Sequence, residues 1–277
     1  MRTVLLPAGE RVPVYGMGTW RMAEDPAMRA EEIATLRLGL ERGATLIDTA
    51  EMYGEGRAEQ LVGEAIAGRR DEVFLVTKVY PHNASRTGVP EACERSLRRL
   101  KTDRIDLYLL HWRGEVSLEE TMEAFGALQQ AGKIRHYGVS NLDLSDMQEL
   151  LATPAGRAAQ TDQLLYNLLR RGLEWDLLPR LRRQRMPIMA YSPIEEGRLL
   201  REPKLVEFAR RCALTPAQVA LGWLFSYEDI IAIPKTSRRD RLIENLACLE
   251  RPLTAAELAE LDRLFPPPDG PRPLDMI

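Results

Sequence analysis

The stretch Thr45-Leu46-Ile47-Asp48-Thr49-Ala50-Glu51-Met52-Tyr53-Gly54-Glu55-Gly56 couples a short apolar run to a loop, and Arg57–Arg69 beyond it has helical patterning. A short apolar run followed by a turn reads as a buried strand, so the stretch predicts strand, loop and helix in that order. The same order recurs. The runs Val73–Thr77, Ile105–Leu110, Ile134–Val139 and Thr161–Leu164 precede the helical stretches Val89–Leu100, Leu118–Ala131, Leu144–Leu151 and Asp176–Arg185. Gly16–Thr19 opens the series, and Pro187–Tyr191 and Ile230–Ile233 close it, which makes eight strands. Strands alternating with helices imply parallel βαβ units, here a (β/α)8 TIM barrel of the α/β class.

The strand ends keep a regular interval. Thr19, Asp48, Lys78, His111, Ser140, Gln163 and Tyr191 are 29, 30, 33, 29, 23 and 28 positions apart. One unit of such a barrel takes roughly 30 residues. Ile233 follows Tyr191 by 42 positions, too far for one unit. Glu202–Cys212 and Thr215–Ser226 both read as helices, so an extra helix is expected there; Thr215 is a natural N-cap and Pro216 a natural first helical residue. Ahead of the barrel, Thr3–Leu6 and Arg11–Val14 flank Pro7-Ala8-Gly9-Glu10, which predicts a β-hairpin within residues 1–15 plugging the barrel bottom. The tail 265–277 holds Pro266, Pro267, Pro268, Pro271 and Pro273 and is expected to lie over the surface without helix. Residues 1–277 therefore read as one barrel domain with added helices in its second half and at its C-terminus.

Composition narrows the function classes. The 277 residues include 38 Lys+Arg and 41 Asp+Glu, a formal net charge of −3, which argues against a general nucleic-acid binder. Cys93, Cys212 and Cys248 are far apart with no histidine nearby, so no metal site is expected, only reduced thiols. The N-terminus lacks an apolar core segment and no run approaches the length of a membrane span, so the protein is expected to be cytoplasmic, with no membrane partner, and monomeric. Only five of the 38 basic residues are lysines: Lys78, Lys101, Lys133, Lys204 and Lys235. A lysine at a functional position is informative in such an arginine-rich chain.

Active sites of these barrels lie at the carboxyl ends of the strands. Asp48, Lys78 and His111 occupy three consecutive ends, and Tyr53 stands five positions beyond Asp48 in the loop above. Alone, each has a bland reading: an Asp at a strand end caps or turns the chain, and a lone Tyr or His packs. Together they suit carbonyl reduction. When a hydride adds to the carbonyl carbon, the oxygen becomes an alkoxide that needs a proton. A tyrosine can supply it if a neighbouring ammonium lowers its pKa, and a carboxylate keeps that ammonium charged. A neutral histidine can position the substrate oxygen.

A second feature concerns charge. Ser237 is placed to N-cap a helix running to about Leu249, whose first turns carry Arg238, Arg239 and Arg241, with Lys235 just before and only Asp240 in opposition. Positive charge at a helix N-terminus opposes the helix dipole, whereas a bound anion there is favourable. The bland reading is a solvated basic turn. No GxGxxG fingerprint occurs, since Gly54-Glu55-Gly56 is followed by Glu59, so a dinucleotide would have to be held by some other route.

Leu46–Gly54 resembles the LIDTAxxYG signature of the aldo-keto reductases. Thr77-Lys78-Val79, Leu109-Leu110-His111-Trp112, Gly138-Val139-Ser140-Asn141, Gln163-x-x-Tyr166-Asn167, Ala190-Tyr191-Ser192-Pro193 and Ile233-Pro234-Lys235 follow in that family's order, from Gly16 to Asn245, and the chain is similar to its bacterial short-loop members. The resemblance implies a catalytic tetrad of Asp48, Tyr53, Lys78 and His111 and a preference for NADPH. It implies that Lys235, Thr236, Ser237 and Arg241 hold the 2′-phosphate, although the family usually has an apolar residue where Ser237 stands. It further assigns Glu244 and Asn245 to adenine, Ser140, Asn141 and Gln163 to the carboxamide, and Tyr191 to stacking on nicotinamide. Thr19, Trp20, Ser192, Pro193 and Ile194 complete the implied cofactor site. Trp20, Met52, Tyr80 and Trp112 are expected to wall the substrate, a small aldehyde, ketone or α-dicarbonyl such as methylglyoxal, beneath short loops and an open mouth. Arg113, where the family usually has proline, is expected to be solvated. Two rivals remain at this stage: an NADPH-sensing subunit that regulates a partner with little turnover, and an unrelated barrel lyase using Lys78 as a Schiff base.

Overall fold

Apolar runs of three to seven residues become short strands buried on both faces, as expected of a parallel sheet covered by helices. The computed structural model describes residues 1–277. β1 (Thr3–Leu5) and β2 (Arg11–Pro13) pair antiparallel as the predicted hairpin. Eight parallel strands follow: β3 (Gly16–Gly18), β4 (Leu46–Asp48), β5 (Phe74–Val79), β6 (Ile105–Leu110), β7 (Ile134–Ser140), β8 (Asp162–Leu165), β9 (Ile188–Tyr191) and β10 (Ile230–Ala232). Each pairs with the next in sequence. The ring closes between its first and last members: Ala232 N donates to Val14 O at 2.8 Å and Gly18 N to Pro234 O at 3.0 Å. Glycine permits that approach. A Cβ on Gly18 would lie 2.7 Å from Ile233 O, and one on Gly16 2.8 Å from Ile233 Cγ2. Ala8 N donates to Gln160 Oε1 at 2.8 Å, and Glu10 pairs with Arg135 at 2.8 Å, so the hairpin covers the amino-terminal ends of the strands, as predicted.

The helices are α1 (Arg29–Glu41), α2 (Arg57–Ala65), α3 (Gly88–Leu100), α4 (Leu118–Gln130), α5 (Leu144–Ala152), α6 (Leu177–Arg183), α7 (Pro203–Arg211), α8 (Pro216–Leu224), α9 (Arg239–Ala247) and α10 (Ala255–Leu264). Two helices separate β9 from β10, which accounts for the long interval after Tyr191. Thr215 caps α8 as expected: its hydroxyl accepts from Gln218 N at 3.2 Å, and Gln218 Oε1 accepts from Thr215 N at 3.0 Å, a reciprocal capping box. The helix expected over Arg57–Arg69 stops at Ala65, because the chain turns away through Gly68 at φ +77°.

The tail has no helix, as its prolines dictate, but it does more than lie on the surface. Asp275 pairs with Arg170 at 3.1 Å, and Met276 and Ile277 beyond it reach the cleft at the carboxyl ends of the strands. No helix is long and apolar enough to cross a membrane.

Candidate active site

The barrel brings Asp48 (end of β4), Lys78 (β5), Tyr53 and His111 (just past β6) together at one rim. Lys78 is fully buried, and its three ammonium hydrogens all have acceptors: Asp48 Oδ2 at 2.8 Å, Thr49 O at 2.9 Å and the Tyr53 hydroxyl at 3.0 Å. The Tyr53 ring meets His111 edge-on at 5.8 Å between centroids and Trp20 at 5.0 Å. Asp48 uses its other oxygen to accept from Gln163 Nε2 at 2.8 Å. Every charge at this rim is therefore satisfied within the chain.

Burial and charge act against each other here. Burial drives the Tyr53 hydroxyl above its ordinary value of 10.0, and the Lys78 ammonium pulls it back only in part. The sequence led to the opposite expectation, a lowered phenol; desolvation of the phenolate outweighs the single ammonium. Burial alone would strip the proton from Lys78, but Asp48 and the Tyr53 oxygen reverse this and leave it above the usual lysine value. Burial, reinforced by Lys78, holds His111 well below 6.5, so the ring is neutral. His111 Nδ1 is buried without a hydrogen-bond partner.

Behind the tetrad, polar side chains hold one another in place. Ser140 Oγ donates to Gln163 O at 2.8 Å, Asn141 Nδ2 to His111 O at 3.1 Å, and the Tyr191 hydroxyl to Asn141 Oδ1 at 2.9 Å. Asn141 takes a left-handed backbone, φ +59°, a conformation asparagine tolerates. The loop carrying Tyr53 is braced from α3. Arg99 lies 3.9 Å from Glu51 and 2.5 Å from the fully buried Glu59, and Glu51 accepts from Tyr80 N at 2.8 Å. Gly56, at φ +85°, holds a backbone that residues with a side chain rarely adopt, and a Cβ there would displace Arg99, meeting its Cδ at 2.5 Å. Glu51, Glu59 and Arg99 carry no signal in the sequence; only the burial of the two glutamates and their pairing with Arg99 reveal them.

A cleft of about 940 Å³ runs from this rim to the start of α9. It is lined by Trp20, Met52 and Trp112, by Ser192, Pro193 and Ile194, and by Lys235, Thr236, Ser237, Arg241, Glu244 and Asn245, besides the polar residues above. One expected wall residue, Tyr80, and one expected cofactor residue, Thr19, stand elsewhere. Tyr80 sits behind Trp112, edge-on at 5.8 Å, and stacks on His82. Thr19 is buried beneath the wall, its hydroxyl donating to Asp48 O at 2.9 Å. Arg21, Arg201, Met276 and Ile277 also line the cleft, and no sequence signal marked them. The 192–202 loop is short but closes one side of the cleft through two 3-10 turns. Arg113 is solvent-exposed, as expected, and does not line the cleft; its guanidinium pairs with Asp146 at 2.6 Å and Glu149 at 2.7 Å on α5.

At the far end, the four basic residues divide. Arg238 pairs with Asp240 at 2.6 Å and Arg239 with Glu31 at 3.0 Å. Lys235 and Arg241 line the cleft and have no carboxylate within pairing distance, and burial pushes Lys235 below its ordinary value. Ser237 does not cap the helix. The N-cap position falls on Arg238, with no side-chain cap, and Ser237 Oγ donates instead to Glu32 at 2.9 Å. Two free cations at an uncapped helix start suit a phosphate.

The Aldo/keto reductase family sequence profile matches residues 15–265. Methylglyoxal reductase YeaE of Escherichia coli K12 is 51% identical over 271 residues, covering 96% of this chain and 95% of that protein. Glyoxal reductase of Bacillus subtilis 168 is 30% identical over 265 residues, covering 95% and 92%. The crystal structure of an aldo/keto reductase from Klebsiella pneumoniae in complex with NADP and acetate matches with TM-score 0.96 and 46% identity, covering 100% of both chains. A second, an aldo-keto reductase from the same organism in complex with NADPH, has TM-score 0.96 and 47% identity and covers 100% of this chain and 99% of that one.

Proposed function

The chain belongs to the aldo/keto reductase family, and from that premise we propose that it reduces small aldehydes and α-dicarbonyls such as methylglyoxal, with Tyr53 as proton donor. It is an NADP-dependent oxidoreductase. The observation that carries the catalytic reading is the buried Asp48–Lys78–Tyr53 chain at the floor of the cleft, with contacts of 2.8 and 3.0 Å. When bound, the nicotinamide supplies a hydride to the carbonyl carbon. The residues fit such a cofactor at both ends: Lys235 and Arg241 are free for a 2′-phosphate, and Ser140, Asn141 and Gln163 present amide and hydroxyl groups to a carboxamide. Tyr191, between them, offers a face to the ring.

Tyr53 gives its proton to the oxygen as negative charge develops there. A phenol held above 10.0 is fully protonated at neutral pH, and an alkoxide is the stronger base, so the transfer runs downhill. Lys78 then stabilises the phenolate left behind, and Asp48 keeps Lys78 charged. Neutral His111 offers a ring N–H to the same oxygen and fixes its position. Trp20, Met52 and Trp112 form the apolar wall above.

Oxidation of NADPH by methylglyoxal and a panel of small aldehydes, followed by nicotinamide absorbance, tests this. Turnover that disappears in Tyr53→Phe is expected. Tight NADPH binding without turnover on any carbonyl would assign the chain to the regulatory role instead.

A further inference from the structure

The fate of Ser237 has a consequence for cofactor choice. Glu32, on α1, is buried at 3% exposure, and both its carboxylate oxygens are occupied. Ser237 Oγ donates to Oε1 at 2.9 Å, and Ala23 N donates to Oε2 at 2.8 Å. Thr35, one turn further along α1, donates to Ser237 O at 3.3 Å. One buried carboxylate thus joins the turn after Trp20 to the turn that carries Lys235, across 205 positions of sequence.

We propose that Glu32, acting through Ser237, lowers the preference of this site for a 2′-phosphate over a 2′-hydroxyl on the adenosine ribose, so that NADH competes with NADPH more than Lys235 and Arg241 alone would allow. The proposal rests on the NADPH reading above. A serine hydroxyl has one hydrogen. Spent on Glu32, it leaves Ser237 only lone pairs to present to the cleft. A ribose 2′-hydroxyl can donate to them. An ionised phosphate has only acceptor oxygens and cannot. The charge of Glu32 acts in the same direction. It lies near enough to Lys235 to support the protonation of that ammonium, and so near enough to repel an anion bound to it. An acidic residue beside the ribose is also how dinucleotide-binding sites of another fold favour the unphosphorylated cofactor.

Glu32→Gln preserves the bracing and reverses the polarity. The amide oxygen still accepts from Ala23 N, the amide nitrogen donates to Ser237 Oγ, and the hydroxyl hydrogen turns free toward the cleft. Ser237→Val removes the acceptor altogether. Dissociation constants for NADP+ and NAD+ are read from quenching of tryptophan fluorescence, Trp20 being in the cleft wall. In Glu32→Gln, NADP+ is expected to tighten about five-fold, the scale of one hydrogen bond, with NAD+ unchanged or weaker. In Ser237→Val, NAD+ is expected to weaken about three-fold, with a smaller change for NADP+. Equal shifts of both dinucleotides in Glu32→Gln would show a purely structural brace and overturn the proposal, as would no shift. Should Glu32→Gln fail to fold, undiminished NAD+ binding in Ser237→Val overturns it alone. Failure of the wild type to bind either dinucleotide is a different result: it overturns the cofactor reading itself.

Discussion

The two ends of the cleft treat charge in opposite ways. At the rim, Lys78 is fully buried yet has three acceptors within 3.0 Å, and Asp48 is paired on both oxygens. At the start of α9, Lys235 and Arg241 have no carboxylate partner, while their neighbours Arg238 and Arg239 do. The rim is a finished electrostatic unit that awaits only a neutral carbonyl. The other end is unfinished, and an anion completes it. The same residue type, lysine, serves as an internal strut in one place and as an open binding group in the other.

Replacing each lysine separates these roles. Lys78→Met leaves Asp48 buried with only Gln163 for company. Breaking a buried pair in this way costs roughly 3–5 kcal/mol of stability, and loss of turnover by about 1,000-fold or more is expected with it. Chemical denaturation and steady-state rates check both; unchanged stability would show that Lys78 is no strut. Lys235→Ala should behave inversely. Stability without ligand stays within ~0.5 kcal/mol, because no partner is abandoned. NADPH binding weakens about 10- to 100-fold, and NADH binding barely changes, as loss of one charge-assisted contact implies. A stability loss in Lys235→Ala comparable to that of Lys78→Met would erase the contrast.

The smallest effect concerns pH. Burial and Lys78 hold His111 well below 6.5 in the folded protein, whereas the unfolded chain titrates near that value. Below pH 6.5 the unfolded state therefore binds a proton that the folded state refuses. Stability is complete above that pH and declines as pH falls toward the folded value, by at most about 1.4 kcal/mol per pH unit from this group. Denaturation of His111→Gln between pH 7 and 5 should show a shallower decline than wild type, and an identical slope would contradict the neutral, buried histidine.

Much of the rim could be read from the sequence, because strand ends recur at a nearly fixed interval and the chemistry-bearing side chains sit at them. Thr215 and Pro216 announced their helix through local chemistry alone. What escaped was long-range pairing. Nothing near Ser237 in sequence shows that its hydroxyl turns to Glu32 rather than to its own helix, and nothing near Arg113 shows that α5 supplies two carboxylates. Periodicity says which face is buried, not which element lies against it. Thus Tyr80 could be placed next to the barrel mouth but not behind Trp112. The tail was legible as non-helical from its prolines, whereas its return to the cleft depends on Arg170 and Asp275, which lie 105 positions apart. The direction of the Tyr53 shift is hidden for a related reason: neighbouring charge is visible in a motif, and depth of burial is not.

The most direct test of the account is a paired measurement on Tyr53→Phe: the dissociation constant for NADPH and the turnover of methylglyoxal. The hydroxyl serves proton transfer and not the cofactor, so NADPH affinity is expected within about two-fold of wild type and turnover lower by about 100- to 10,000-fold. Turnover within ten-fold of wild type, with NADPH still bound, would contradict it and require another proton donor at the rim.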